Sequence, residues 1–392
     1  MNVHLAEFRL LGIDVKVHWS FVLVLAFGAF VYGAGPAGWV VGALYGVITI
    51  LLLFVCVTMH EYGHALAARR FGIGTRSILL LPIGGVANLE HLPEKPGQEI
   101  VIVAAGPLVN VLLAIVLLPV ALLVGGGNGQ SVFNFNAMGA SIQSPGIFNL
   151  LVFLVSTNVL LALFNLLPAF PLDGGRLLRA LLAYMMPYPR ATQTAVAVGR
   201  LLAVFMAVFG IFSGAIGLLL IAFFVYVGGS AELEAVSSRA VLRKFRAGSA
   251  LTHNAATLYS SERLERATQL IMNSYQTDYP VRDLTGQFVG VLTRPLLVNA
   301  LREIGPEARI VDVMQPASAV PRCSPETDLA AVWEMMSQSG SRVVAVADHD
   351  KVLGIITSDD ISEVFQVMGA IMEKRTQPPS ASVDSGETRD YA

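Results

Sequence analysis

A chain of 392 residues in which 54% are hydrophobic and only 14% charged has the composition of a membrane protein, not of a single water-soluble domain. A net charge of -2 makes no case for nucleic acid as a partner, and two cysteines, Cys56 and Cys323, exclude a disulfide framework. Of the 54 Lys, Arg, Asp and Glu residues, 17 lie in residues 1–230 and 37 in 231–392, so a membrane half precedes a soluble half.

Residues 1–16 are a short polar lead carrying Arg9 and Lys16. No cleavable signal peptide is evident, because the first apolar run begins near Val17 without a convincing small-residue cleavage site. A first spanning helix is expected at about Val17–Tyr32, opening on His18-Trp19 as an interfacial aromatic anchor. The second, about Trp39–Arg70, exceeds the ~20 residues of one crossing, so its last turns tilt or enter protein or water. Residues 78–87 are apolar but too short to cross and are broken by Pro82, Gly84 and Gly85, which suits a strand or re-entrant loop. A third span is expected at about Ile100–Val124, then a Gly/Ser/Asn-rich loop over 125–146 and a fourth span at about Ile147–Leu167. Residues 191–226 suit a helical hairpin breaking around 210–217, giving spans five and six.

The loops after spans one, three and five contain no Lys or Arg, whereas the opposite set carries Arg9, Lys16, Arg69, Arg70, Arg76, Lys95, Arg176, Arg179 and Arg190. The positive-inside rule therefore places both termini in the cytoplasm. Ser237–Arg246 is a basic juxtamembrane segment suited to anionic headgroups. Beyond it lies an internal repeat with an offset of 64: Gly290-Val291-Leu292-Thr293 matches Gly354-Ile355-Ile356-Thr357. Each copy reads as an amphipathic helix, a strand (Tyr279–Arg282; Val343–Ala347), a polar turn, a second strand and a helix start. Residues 374–392 have little to bury and are expected to be disordered.

The chemistry concentrates in His60-Glu61-Tyr62-Gly63-His64. On a helix, histidines four residues apart leave one face and can converge on a metal ion, and Glu61 beside them can take a proton from metal-bound water. Ionisable groups embedded in so apolar a segment point to function. A catalytic zinc needs three protein ligands and one open position. Asp173, between Pro168, Pro171 and Gly174-Gly175 at the same end of its span, is the candidate third ligand; its alternative role is to cap the helix at Arg176–Tyr184. His4, His18, His91, His253 and His349 lack partner spacing.

The His-Glu-x-Gly-His helix together with Asn165-x-x-Pro168-x-x-Pro171-Leu172-Asp173-Gly174-Gly175-Arg176 resembles the site-2 protease family of intramembrane zinc metalloproteases over about residues 1–230. The resemblance implies Zn2+ held by His60, His64 and Asp173, Glu61 as general base, and Asn165 contacting the substrate or reaction intermediate. It implies cleavage of a peptide bond in or near the transmembrane segment of a single-span protein such as an anti-sigma factor. Gly84-Gly85 and Ala105-Gly106-Pro107-x-x-Asn110 also look like family elements, the first suited to strand addition by an unwound substrate. The soluble repeat resembles a tandem pair of cystathionine-β-synthase-type (CBS) domains at about 248–300 and 308–368, after a linker at 231–247. That resemblance implies ATP or AMP in the cleft, with Thr357 and Asp360 on the ribose, and a homodimer through the pair as one arrangement; the alternative role of Thr357 and Asp360 is to cap the helix at Ile361. Copy one departs from the pattern, with Leu296 in place of the aspartate.

The expected architecture is thus a polytopic α-helical protein of the cell membrane with six transmembrane helices and a cytoplasmic α/β CBS pair. A transporter with a regulatory pair is the main alternative, but no repeated halves with broken helices are evident. A non-catalytic scaffold would have no use for Glu61.

Overall fold

The computed structural model describes residues 4–82, 84–90, 93, 95–125, 145–251, 255–274, 276–349 and 351–365. Most of the expected loop (126–144) and the expected tail (374–392) lie outside the described residues. The chain divides into two compact units, Met1–Ala235 and Val236–Ala392.

In the first unit, β1 (His4–Leu10) and β2 (Ile13–His18) form a hairpin across Leu11-Gly12, both with positive φ, which is the geometry that keeps two-residue turns in step with strand twist. β2 runs parallel to β3 (Thr75–Leu81), and β3 pairs antiparallel with β4 (Gly84–Leu89), giving the order β1-β2-β3-β4. The described residues of the short apolar run at 78–87 therefore belong to a strand pair, and among the described residues β4 is an edge strand of the sheet.

The helices are α1 (Phe21–Gly33), α2 (Trp39–Arg70), α3 (Pro96–Val124), α4 (Ile147–Asn165), α5 (Asp173–Leu182), α6 (Tyr188–Ser213) and α7 (Ile216–Leu242). Among the described residues five of them, α2, α3, α4, α6 and α7, are long and apolar enough to cross a bilayer. The expected first span corresponds to α1, a shorter apolar helix whose 13 residues extend about 20 Å. The alternation Ile13, Val15 inward and Asp14, Lys16 outward gives residues 13–18 to the sheet, so the helix starts late. Large apolar side chains such as Phe27, Val40, Phe205 and Phe212 face outward. An apolar exterior on this scale marks a lipid-facing surface, so this is a multi-pass membrane protein.

Helix contacts rely on small residues. A Cβ on Gly46 would lie 2.4 Å from the Gly28 carbonyl oxygen, and one on Gly42 would lie 2.1 Å from that of Tyr32, so Gly42-x-x-x-Gly46 lets α1 and α2 touch backbone to backbone. Gly63, between the two motif histidines, does the same for α2 and α3, where a Cβ would come 2.7 Å from the Ala105 carbonyl oxygen.

The second unit repeats one motif. β5 (Leu258–Tyr259), α8 (Leu264–Asn273), β6 (Tyr279–Arg282), β7 (Phe288–Leu292) and α9 (Arg294–Glu303) form the first copy. A short helix α10 (Ile310–Val313) and β8 (Gln315–Pro316) follow. The second copy is β9 (Arg322–Cys323), α11 (Leu329–Ser339), β10 (Val343–Asp348), β11 (Lys351–Thr357) and a helix from 358. In both copies a parallel pair precedes an antiparallel hairpin.

Candidate metal centre

α2 projects His60 and His64 from one face, with their Nε2 atoms 3.1 Å apart. Each Nε2 lies 3.2 Å from Oδ2 of Asp173. Asp173 is the first residue of α5; Leu172 takes the capping position, and the Gly175 and Arg176 N–H groups donate to the Leu172 carbonyl. The capping alternative is therefore not the geometry adopted. The carboxylate still benefits from the positive end of the helix dipole while it faces the imidazoles.

Glycines make the convergence sterically feasible. A Cβ on Gly106 of α3 would sit 2.2 Å from His64 Nε2 and 2.7 Å from His60 Nε2. Gly174 and Gly175 press onto the backbone of the preceding loop, where Cβ atoms would meet the Leu167 carbonyl oxygen at 2.2 Å and the Ala169 carbonyl carbon at 2.6 Å. That close packing sets the position of the first turn of α5.

The far side of each ring determines what the near side can do. His60 Nδ1 is hydrogen-bonded to Asn110 Oδ1, and His64 Nδ1 lies 2.8 Å from the Ile102 carbonyl oxygen. Both partners are oxygens that only accept, so each Nδ1 donates and each Nε2 presents a lone pair. Asp173 Oδ2, buried and without a hydrogen-bond donor, faces two further acceptors. Protonating both rings would instead set two imidazolium ions in contact. A cation relieves this arrangement, and the donor set fits zinc: bonds of about 2.0–2.1 Å at tetrahedral angles place ligand atoms roughly 3.3 Å apart. Among the described residues this is the one group of three or more His, Cys, Asp or Glu side chains arranged to hold a metal.

Glu61 lies beside the cluster, 9% exposed, with its Oε2 accepting from the Ala87 N–H of β4 at 3.1 Å. A Cβ on Gly85 would lie 2.5 Å from Glu61 Cγ, so β4 passes directly against the acid. Asn165 ends α4, half-buried, and is not hydrogen-bonded to the cluster. Three partners were not read from the sequence: Asn158, the Ile102 carbonyl and the Ala87 amide. Asn158 carried a signal, a polar residue inside an apolar helix, whereas backbone partners leave none.

In the second unit, Thr357 and Asp360 meet as a reciprocal helix cap. The Thr357 N–H and hydroxyl lie 2.8 and 2.9 Å from Asp360 Oδ2, and the Asp360 N–H donates to Thr357 Oγ1 at 3.1 Å. Copy one, with Leu296 at the matching position, uses a different acid. Asp278 accepts from the Arg294 N–H at 3.0 Å, and its burial raises its carboxyl above the ordinary value. Asp359 receives a hydrogen bond from Thr277 at 3.3 Å and lies 3.5 Å from Arg342, so both copies contribute to one polar cleft.

Comparison with known proteins gives a consistent picture. Residues 48–209 match the model of peptidase family M50, and residues 310–366 match that of the CBS domain. The zinc metalloprotease MJ0392 of Methanocaldococcus jannaschii is 31% identical over 368 residues, which cover 94% of this chain and 98% of that one. Among solved structures, a site-2 protease from Methanocaldococcus jannaschii is 36% identical and covers 58% of this chain and 94% of that one, with a TM-score of 0.42.

Proposed function

The chain belongs to the site-2 protease family of zinc metalloproteases, peptidase family M50, with a C-terminal CBS domain, and from that premise we propose that it cleaves a peptide bond in or near the transmembrane segment of another membrane protein. The observation that carries this reading is the meeting of two imidazole Nε2 atoms and a buried carboxylate oxygen, 3.1 and 3.2 Å from one another, beside a second acid, Glu61. His60, His64 and Asp173 hold the zinc. When bound, zinc supplies Lewis acidity, which polarises a carbonyl and acidifies water. Glu61 accepts the proton of the attacking water and returns it to the departing amine nitrogen as the C–N bond breaks. Asn165, at the end of α4, hydrogen-bonds the substrate. The open edge of β4, aimed at Glu61, takes an unwound substrate segment as an added strand. Unwinding is required because a helical substrate engages its carbonyls in its own hydrogen bonds.

The proposed domains are a protease over 1–230, a linker at 231–247, CBS domains at 248–300 and 308–368, and a tail at 374–392. Counting α1 as a short first crossing gives six crossings, with both termini and the metal end of α2 on the cytoplasmic side. A single-span protein such as an anti-sigma factor is the substrate class. The CBS pair binds ATP or AMP through Thr357 and Asp360, dimerises, and regulates access to the zinc.

The test is a comparison of membrane proteomes from cells carrying the intact chain and cells carrying Glu61→Gln. A shortened single-pass protein present only with the intact chain is expected; identical proteomes would count against the assignment.

A further inference from the structure

Asn158 sits in the middle of α4 with no exposed surface, a polar side chain among Leu154, Val155 and Val159. A buried amide in an apolar helix is costly unless its hydrogen bonds are made. Here they are, and each has only one sense. Asn158 Nδ2 donates to the Leu154 carbonyl at 2.8 Å and to Cys56 Sγ at 3.3 Å. A carbonyl cannot donate, so the Asn158 amide cannot turn over without setting oxygen against oxygen. Its Oδ1 must therefore face Asn110, and it accepts from Asn110 Nδ2 at 2.8 Å. That in turn directs Asn110 Oδ1 to His60 Nδ1. Because Oδ1 only accepts, the ring proton stays on Nδ1 and the lone pair on Nε2, the atom that faces His64 and Asp173.

We propose that Asn158 is a positioning residue that, through Asn110, selects the tautomer of His60 able to bind the metal. The relay runs from a backbone carbonyl of α4, through amides of α4 and α3, to a ligand on α2. With an apolar residue at 158, the Asn110 amide is free to rotate. In the rotated state its Nδ2 faces His60 Nδ1, which must then accept, so the proton moves to Nε2 and blocks ligation. An acid at 110 removes the dependence, because both carboxylate oxygens accept whichever way the group turns.

The inference rests on the zinc reading above and is tested by a double-mutant cycle on the purified full chain, read as zinc affinity in metal-buffered chelator competition. Asn158→Leu should weaken zinc binding by about 10–100-fold, the usual cost of losing a metal ligand's outer partner. In the Asn110→Asp background, where Asn158 Oδ1 would face a carboxylate oxygen and can make no bond to it, the same Asn158→Leu change should cost nothing or raise zinc affinity. Should Asn158→Leu fail to fold, Asn158→Thr carries the same comparison. Its hydroxyl can bond to the Leu154 carbonyl as Thr49 and Thr58 bond to theirs, but it stops short of Asn110. Equal losses in both backgrounds, or no loss in either, would overturn the inference. A wild-type chain that binds no zinc would instead defeat the metal assignment itself.

Discussion

At the scale of single residues, the site is built as much from absent side chains as from present ones. Gly106 lies where any Cβ would intrude on both Nε2 atoms of the histidine pair, at 2.2 and 2.7 Å. Neither atom can retreat, because each ring is held on its far side by Asn110 or the Ile102 carbonyl. Gly106→Ala should therefore reduce zinc affinity by about 10-fold or more with little change in helix content, since alanine is the better helix former. Zinc content after dialysis, read beside circular dichroism, checks this; a variant that keeps full zinc would contradict it. The clustering of His60, His64 and Asp173 was legible in the sequence because the chemistry is local. Two histidines four apart need only a helix, and Asp173 stood out as an acid between prolines and paired glycines. The orienting roles of Asn110 and Asn158 were not legible, because Asn110 meets His60, and Asn158 meets Asn110, only through tertiary packing.

At the scale of elements, α5 matters most, since its first residue, Asp173, is the proposed third ligand. Two turns on, Arg179 anchors it with 1% of its side chain exposed. Its Nε donates to Glu99 Oε1 of α3 at 3.0 Å, its terminal nitrogens reach Glu99 and Glu232 of α7, and its guanidinium stacks 5.1 Å from the Phe170 ring and 4.9 Å from Tyr188. Truncation would leave Glu99 as an uncompensated buried charge, a change worth about 3–5 kcal/mol. Arg179→Ala should lower the thermal unfolding midpoint markedly, and Arg179→Lys less so because it restores charge without the planar fork. An unchanged midpoint for Arg179→Ala would show that the network does not hold α5. The sequence marked Arg179 only as one of a set of basic residues on one side of the membrane. Its two acidic partners, Glu99 and Glu232, come from helices far apart in the chain. The sheet was legible only in part: residues 78–87 read as a strand or re-entrant loop, whereas the alternation over residues 13–18 was divided between a polar lead at 1–16 and a helix expected from Val17.

At the scale of the whole molecule, the change in composition near residue 230 falls close to the boundary between the two compact units, and the repeat offset of 64 located two copies that have the same strand and helix order. What the repeat could not show is that the copies cap their last helices differently, Asp360 locally and Asp278 from upstream. That asymmetry predicts a single nucleotide site per chain, in the copy that keeps Thr357 and Asp360. Calorimetry of the full chain with ATP and AMP should give one site, abolished by Asp360→Ala; no heat at millimolar ligand would remove nucleotide control from the account.

The central claim is that side chains of α2 and α5 hold a zinc ion beside a glutamate that handles protons. It is tested most directly by measuring zinc content and proteolysis together in the purified chain and two variants. The wild-type chain should carry one zinc and cleave a membrane substrate. Glu61→Gln should keep the zinc and lose at least about 100-fold in rate, and Asp173→Ala should lose both. Cleavage by Glu61→Gln at the wild-type rate, or full zinc occupancy in Asp173→Ala, would contradict it.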